Sequence, residues 1–524
     1  MRFLLVAINS KFIHSCPAVY SLKAYADSKI HSDSIVDIAE YTINQQVEDI
    51  IAGIYNRKPD CIGFSCYIWN SDVMRKILPE IHKILPNVKI FLGGPEVTYH
   101  PDKVMTDYPY ITGVMIGEGE ETFAELVEKL TYNSADDMLS INGLYLSTGY
   151  TGVRKSLSMD EVPFYYENPL PECFENRILY YESSRGCPFS CSYCLSSIDK
   201  TLRYRDIDSV KEHLACFLNA KVKQVKFIDR TFNANHDHAM DIWKFIYEND
   251  NGITNFHFEI AADILKDDQI ELLSKMRPGL IQLEIGVQST NETTLKAINR
   301  YVSTSHIRQV TSKLLKSHNV HIHLDLIAGL PYEDYRSFVT SFNEVYNMNP
   351  HQLQLGFLKV LKGTSIEEHI EEYGIKYLDS APYEVLSTNW ITYDEILKLK
   401  DVEKVLEDYY NSAQFTQTIP RLLKMYDTPY ELYEALAVFY RANDYFVKVP
   451  ARSRKYEIIL EFVSHETTND VSKIEEIRES LTLDYYLREN PKSKPAFVKN
   501  VPDMSLFDYS QRDPITYNVK YNNA

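Results

Sequence analysis

Arg185-Gly186-Cys187-Pro188-Phe189-Ser190-Cys191-Ser192-Tyr193-Cys194 places three cysteines within eight residues, directly after the apolar run ILYYESS (178–184). In a reducing compartment such a cluster reads as a metal site rather than a disulfide framework. Three thiolates on one tight loop suit three corners of an iron–sulfur cubane, where a fourth cysteine would close the site. Cys173 and Cys216 stand too far along the chain to supply it. A structural zinc site asks for four ligands at other spacings, and no histidine lies in this loop. The spacing therefore leaves one iron open to a small molecule.

Downstream, strand-like runs recur at QVKFIDR (224–230), NFHFEIAAD (255–263), LIQLEIGVQS (280–289), VHIHLDLIAG (320–329) and HQLQLGFLKVL (351–361), with amphipathic helical stretches between them. Counted with ILYYESS, these repeats fall short of the eight that close a barrel, so 179–380 reads as a partial (β/α)6 barrel. Upstream, RFLLVAI (2–8), CIGFSCYIW (61–69), KIFLGG (89–94) and YITGVMIG (110–117) alternate with helical stretches, one of which is interrupted at Pro79. Residues 1–132 read as a Rossmann-like α/β domain, which binds ligands at the carboxyl ends of its strands. Residues 133–178 read as a linker, and 381–524 as a helical, tyrosine-rich region that loosens from about Pro491. Those tyrosines are expected at the core edge, with their hydroxyls at water.

The chain has 524 residues, 44% of them hydrophobic, and 55 Lys and Arg against 73 Asp and Glu, for a formal charge of −18. The length allows three or so domains, and the composition excludes disordered and fibrous classes. The acidic balance argues against a nucleic-acid partner and against anionic membranes. No window reaches the ~18 uninterrupted apolar residues of a spanning helix. The first residues read as a strand rather than a signal peptide, so a cytoplasmic protein without membrane attachment is expected.

Cys187, Cys191 and Cys194, with Tyr193 before the last, resemble the radical S-adenosylmethionine (SAM) signature. The resemblance implies a [4Fe–4S] cluster on the three thiolates, with SAM chelated at the open iron and cleaved to methionine and a 5′-deoxyadenosyl radical. It also implies an electron donor such as flavodoxin or ferredoxin. SAM contacts are expected from Phe189 and Tyr193 in the loop, and from Asp229 in the segment that stands where the family has Gly-Gly-Glu. Others are expected from Glu259, from Glu284 and Gln288 in a segment similar to methylthiotransferase-like members, and from Asp325 in the fifth-strand segment. For Glu259 an ordinary ion pair is an equal expectation.

In the first domain, Gly63-Phe64-Ser65-Cys66, Gly93-Gly94-Pro95-Glu96 and Gly117-Glu118-Gly119-Glu120 end three strands. This trio, upstream of a radical SAM domain, resembles the cobalamin-binding domain of cobalamin-dependent radical SAM enzymes. The resemblance implies cobalamin held by Ser65, Cys66, Gly93, Gly94, Glu96, Gly117, Gly119 and Glu120. His14 lacks the flanking Asp and Gly of the cobalt-ligating motif, so it reads as a pocket residue rather than a ligand. The function implied is methyl transfer to an unactivated carbon of a small molecule or peptide. The alternatives are radical oxidation or cyclisation without methyl transfer, or tRNA methylthiolation. The last is weakened by the charge and by the lack of a second cysteine triplet. No catalytic acid or base is singled out, and the helical region does not name the substrate.

Overall fold

The computed structural model describes residues 1–31, 33–132, 135–166, 170–468, 470–489 and 494–499. Apart from 494–499, the stretch from Pro491 that was expected to be loosely ordered lies outside the described residues. The chain divides into two compact units. The first comprises Met1–Glu259, Lys359–Ile370 and Tyr377–Glu384; the second comprises Ile260–Leu358, Glu371–Lys376 and the chain from Val385.

The first unit opens with a sheet built from β1 (Arg2–Asn9), β2 (Ile35–Thr42), β3 (Cys61–Ser65), β4 (Lys89–Gly93), β5 (Gly113–Met115), β6 (Leu144–Leu146) and β7 (Gly149–Tyr150). Their spatial order is β2-β1-β3-β4-β5-β6-β7; the first five are parallel, and the last two join antiparallel. Helices α1 (Pro17–Lys29), α2 (Val47–Asn56), α3 (Ser71–Ile84), α4 (Pro95–Thr98), α5 (Pro101–Asp107) and α6 (Glu120–Tyr132) alternate with the strands. The lack of period in RFLLVAI now has its cause. Phe3, Leu5 and Ala7 enter one core with Val19 and Phe123, while Leu4, Val6 and Ile8 enter another with Ile50 and Ile77. A strand covered on both faces reads as a continuous apolar run.

Two expectations are revised. Pro79 does not interrupt its helix: α3 runs through it. Met74, Ile77, Leu78 and Ile81 recur at helical spacing and bury against the sheet, and this packing outweighs the one hydrogen bond Pro79 cannot donate. Nor are residues 133–178 only a connector. Leu144 and Leu146 extend the sheet, and Ile141, Leu157 and Val162 pack into its core.

The barrel strands follow. In the first unit β8 (Leu179–Tyr181), β11 (Gln224–Phe227) and β12 (Asn255–Ile260, whose last residue is the first of the second unit) pair in parallel, with α7 (Ile207–Asn219) and α8 (His236–Glu248) between them. A short antiparallel ribbon of β9 (Ser184–Arg185) and β10 (Arg203–Tyr204) carries the cysteine loop. In the second unit β13 (Ile281–Gln288), β14 (His321–Ala328) and β15 (Gln352–Phe357) pair in parallel, with α9 (Asp267–Ser274), α10 (Glu292–Ala297), α11 (Thr304–Leu315) and α12 (Tyr335–Tyr346). The fold is thus α/β: a doubly wound domain, then a six-repeat partial barrel, then a helical C-terminal region.

That last region includes α13 (Tyr393–Leu406), α14 (Ile419–Leu422), α15 (Pro429–Ala442), α16 (Arg454–Glu466) and α17 (Val471–Arg488). The capping boxes Thr392/Glu395 and Thr428/Glu431 start α13 and α15. Its tyrosines differ from the expectation of hydroxyls at water. Tyr409 and Tyr440 are buried with their hydroxyls 2.5 Å apart, and Tyr346 and Tyr433 pair at 3.0 Å. Mutual pairing satisfies hydroxyls that the helix packing removes from solvent.

Candidate cofactor site

The cysteine loop is closed by its own backbone. Cys187 N donates to Asp199 O at 3.0 Å, and the turn Cys191–Cys194 is followed by bonds from Ser197 N to Cys194 O and from Ile198 N to Leu195 O. Gly186 adopts φ +93°, and a Cβ there would lie 2.4 Å from Thr201 O, so only glycine fits where the loop's two ends cross. Cys187 and Cys191 are buried and Cys194 is half-buried, with no disulfide between them. The Cys187 thiol lies 3.5 Å from the Thr231 hydroxyl.

Asp229 anchors this loop from beneath. Its buried carboxylate accepts from Ser183 N at 3.0 Å and from the hydroxyls of Ser183 and Ser184 at 2.6 Å. Burial pushes its carboxyl up to about 6, against the pull of those donors. Expected as a SAM contact, Asp229 is here engaged in holding the strand end that leads into the cysteines.

Beside the loop, within the first unit, lies a cavity of about 1020 Å³ at the carboxyl ends of β1, β3, β4 and β5. The order β2-β1-β3 reverses direction between β1 and β3, and doubly wound sheets place ligands at that point. Ser65, Gly93, Gly94, Glu96, Gly117, Gly119 and Glu120 all line it. Gly94 has φ +106° and sits against Cys66 O, 2.5 Å from where a Cβ would be; at Gly117, φ +76°, a Cβ would meet nothing within 4 Å. The wall is therefore backbone, open to a large flat ligand. Cys66 differs from its companions: its thiol turns to Phe64 O and packs in the core, where burial pushes it up to about 12.

The carboxylates of this wall are engaged by basic and hydroxyl side chains. Glu120, buried, accepts from Arg185 at 2.6 Å and from Ser21 at 2.8 Å. Burial would raise its carboxyl, yet Arg185 and the hydrogen bonds hold it below the usual range. Arg185 also meets Glu182 at 2.9 Å and Glu118 at 3.5 Å, and Arg203 pairs with Glu118. Glu96 is taken by Lys362 at 2.6 Å and by the Tyr383 hydroxyl.

Sequence reasoning missed several cavity residues. Tyr67 and Trp69 stack with ring centroids 4.3 Å apart and line the cavity just past β3. His14, expected as a pocket residue, lines it as well, with Nδ1 2.6 Å from the Tyr180 hydroxyl; burial holds its pKa below the ordinary value. That partner lies 166 positions away, beyond the reach of any local pattern. Trp69, one of three tryptophans, was the one available signal.

The other expected SAM contacts fall in both units. In the first, Phe189 and Tyr193 are half-buried in the loop, and Glu259 lies 3.8 Å from Lys226 Nζ, the ion-pair alternative. In the second, Glu284 and Asp325 stand on neighbouring strands with His323 between them in register, their ligand atoms all within 4.8 Å and His323 Nε2 2.9 Å from Asp325. Gln288 ends β13 at a bulge with φ +71°; Arg300 braces that turn by donating to Gly286 O.

Comparison with known proteins matches residues 4–127 to the B12 binding domain and 181–345 to the radical SAM superfamily. The chain thus carries a B12-binding domain and a radical SAM domain. In it, the radical SAM domain follows a B12-binding domain, and the cofactors of the pair are a [4Fe–4S] cluster, SAM and cobalamin. Residues 371–513 match a protein family of unknown function, DUF4080. Cobalamin-dependent radical SAM methyltransferase TokK from Streptomyces tokunonensis is 25% identical over 387 residues, 69% of this chain and 56% of TokK. An anaerobic magnesium-protoporphyrin IX monomethyl ester cyclase from Synechocystis is 24% identical over 311 residues, 57% of this chain and 62% of that protein. The chain thus spans a little over half the length of these curated relatives. The solved structure of the cobalamin-dependent SAM radical enzyme OxsB with aqua-cobalamin bound shares the fold at TM-score 0.63 and 14% identity, over 99% of this chain and 83% of that one.

The residues present fit these groups. The radical SAM loop offers three soft sulfur donors on a rigid turn, and the B12-binding domain offers a glycine-walled cavity at the upper end of the ~300–1,000 Å³ usual for small-molecule sites. Among the described residues no helix is long and apolar enough to cross a membrane.

Proposed function

We propose that this chain is a cobalamin-dependent radical SAM enzyme that methylates an unactivated carbon of a small molecule or peptide. One observation carries the reading: the glycine-walled cavity and the three-cysteine loop lie in one compact unit, and Leu195, Ile198 and Asp199, at the end of that loop, line the cavity. The similarity to TokK supports methyl transfer as the outcome. When bound, the reduced cluster supplies one-electron cleavage of SAM, and the corrinoid supplies a methyl carrier.

The chain's own residues bind, orient and exclude water. Cys187, Cys191 and Cys194 would hold the cluster, and burial of two of them limits access of water and oxygen. The backbone at Gly93, Gly94, Gly117 and Gly119 would seat the corrinoid, with Ser65 at its edge and the Tyr67–Trp69 stack offering an aromatic face. Phe189, Tyr193 and Glu259 are proposed SAM contacts in the first unit, as are Glu284, Gln288 and Asp325 in the second. Asp229 acts through the loop it anchors. Domain boundaries are proposed at 1–162 for the cobalamin domain, which thereby takes in much of the expected linker, with the barrel from 179 and the helical region from about 385. A one-electron donor of flavodoxin or ferredoxin type is required by the cluster chemistry. Cytoplasmic location is proposed from eight cysteines that are all free thiols.

The test is anaerobic reconstitution with iron, sulfide and hydroxocobalamin, followed by metal quantitation and the visible spectrum. Uptake of about four irons and one corrinoid per chain is expected, along with 5′-deoxyadenosine formation from SAM under reduction. Protein that takes up neither group overturns the reading. The cyclase similarity favours a second reading, radical oxidation or ring formation. A product that gains no CH2 unit would decide for it.

A further inference from the structure

The segment Lys359–Ile370 follows β15 in the chain yet belongs to the first unit, where it pairs with Tyr383 and Glu384 and meets two loops of the cavity. On one side it meets the loop after β4. Lys362 Nζ lies 2.6 Å from Glu96 Oε1 and donates to Glu96 O at 3.3 Å; the Tyr383 hydroxyl donates to the same carboxylate. The Glu96 and Lys362 side chains are 12% and 26% exposed, so the pair is sheltered rather than solvent-screened. Gly363 adopts φ +81° directly beneath Tyr99, whose ring would stand 2.3 Å from a Cβ. Glu367 accepts from Gly363 N at 2.7 Å and meets His100 Nε2 at 3.0 Å. On the other side Ile366, fully buried, donates its N–H to Ser192 O at 2.8 Å, between the second and third cysteines.

We propose that Lys359–Ile370 is a strap that fixes the Gly93–His100 loop relative to the cysteine loop, with Lys362 as its positioning residue. The inference rests on the cofactor reading above. It adds that the spacing of the two cofactor loops is set by a third segment, whose Leu361 and Lys362 also reach the cavity wall. Lys362 aims its charge at Glu96 and thereby holds the glycine wall; Ile366 holds the turn that presents Cys191 and Cys194. Chemistry on a substrate that draws on two cofactors is sensitive to such placement, since an error of 1 Å can lower a rate ~100-fold.

The test uses the full chain with three variants. Lys362→Met is expected to weaken hydroxocobalamin binding about tenfold in spectral titration, while iron content and the EPR spectrum of the reduced cluster stay as in the unmodified protein. Lys362→Arg, which can still reach Glu96, is expected to bind within about twofold of the unmodified protein. In cofactor-free protein, Gly363→Ala is expected to speed hydrogen exchange about tenfold at both 93–98 and 187–194. Unchanged binding in Lys362→Met, or faster exchange confined to 359–370, would overturn the strap. Failure of the unmodified protein to take up hydroxocobalamin would overturn the proposed function instead, because the exchange experiment reads the strap without any cofactor.

Discussion

The cysteine loop and the glycine loops stand at one cavity and present opposite chemistry to it. The cysteine loop offers side chains, three thiols displayed by a turn closed by its own backbone bonds and by one from Ile366 N to Ser192 O. The loops after β4 and β5 offer backbone, because Glu96, Glu118 and Glu120 are held by Lys362, Arg203 and Arg185. The thiolate donors of an iron–sulfur cluster can come only from side chains. A flat ligand buried over a large area is recognised by close approach, which bulky side chains would prevent. Acidic residues in the glycine loops are thus held by basic partners at the cavity wall.

The sharpest way to break this contrast is to remove one thiol. Cys191→Ala is expected to reduce cluster content to near zero and 5′-deoxyadenosine formation by more than ~1,000-fold, since two ligands do not retain a cubane. Hydroxocobalamin binding should persist within a few-fold. Joint loss of both groups would mean that the glycine wall depends on the cluster, and that the two regions are one site.

Next in size is Arg185→Met. Arg185 links the ribbon that carries the cysteines to the loop after β5, and its removal leaves Glu120 buried without a cation. Breaking such a buried pair costs about 3–5 kcal/mol. Thermal unfolding should shift down by several degrees, with part of the loss recovered in the double variant Arg185→Met/Glu120→Gln. A double variant no more stable than the single one would show that Glu120 is not the group left stranded.

The same contrast governs what could be read from the chain before folding. The cysteine spacing, the strand repeats and the glycine turns are local signals, and the doubly wound domain and partial barrel follow from them. Arg185 was in view beside Gly186, but its partners Glu120 and Glu182 are fixed only by the fold. Glu96 and Glu120 were read as ligand contacts because their loops were; whether a carboxylate meets a cationic side chain depends on residues up to 266 positions away. Cys66 was misleading for a simpler reason. The residue after a strand can turn either way, and the Phe64 carbonyl takes its thiol inward. Pro79 and the strands of the expected linker show tertiary packing overriding local punctuation.

Within the glycine wall, Gly94→Ala and Gly117→Ala separate backbone strain from ligand contact. Both positions have positive φ, which costs a residue with a Cβ about 1–2 kcal/mol. At Gly94 the Cβ would also strike Cys66 O, so its variant should lose stability by about 2–3 kcal/mol in denaturant unfolding. At Gly117 the Cβ meets no protein atom, and the stability loss should stay near 1 kcal/mol. Cobalamin affinity should nonetheless fall about tenfold in Gly117→Ala, because the methyl group enters space proposed for the corrinoid. Unchanged affinity there would remove Gly117 from the cradle.

The smallest expected effect is a pH dependence of opposite sign on the two sides. Asp229, beneath the cysteine loop, has its folded pKa raised to about 6 by burial, above the ~3.9 of an unfolded aspartate. Between those values the folded chain keeps a proton that the unfolded chain has released. The stability contribution is therefore fully present below about pH 4, falls as pH rises toward 6 and is flat above it. Glu120, on the glycine side, is held below its usual range, burial being outweighed by Arg185 and the hydrogen bonds. Its contribution is present above the unfolded value and is lost as pH falls through the folded one. Hydrogen exchange at 183–194 should thus quicken by up to about tenfold from pH 5 to pH 7 after correction for intrinsic chemistry, while that at 117–123 should not. Asp229→Asn, neutral throughout, should abolish the change at 183–194. A persisting pH effect in that variant would assign it to another group, and Asp229 would then anchor the cysteine loop by geometry alone.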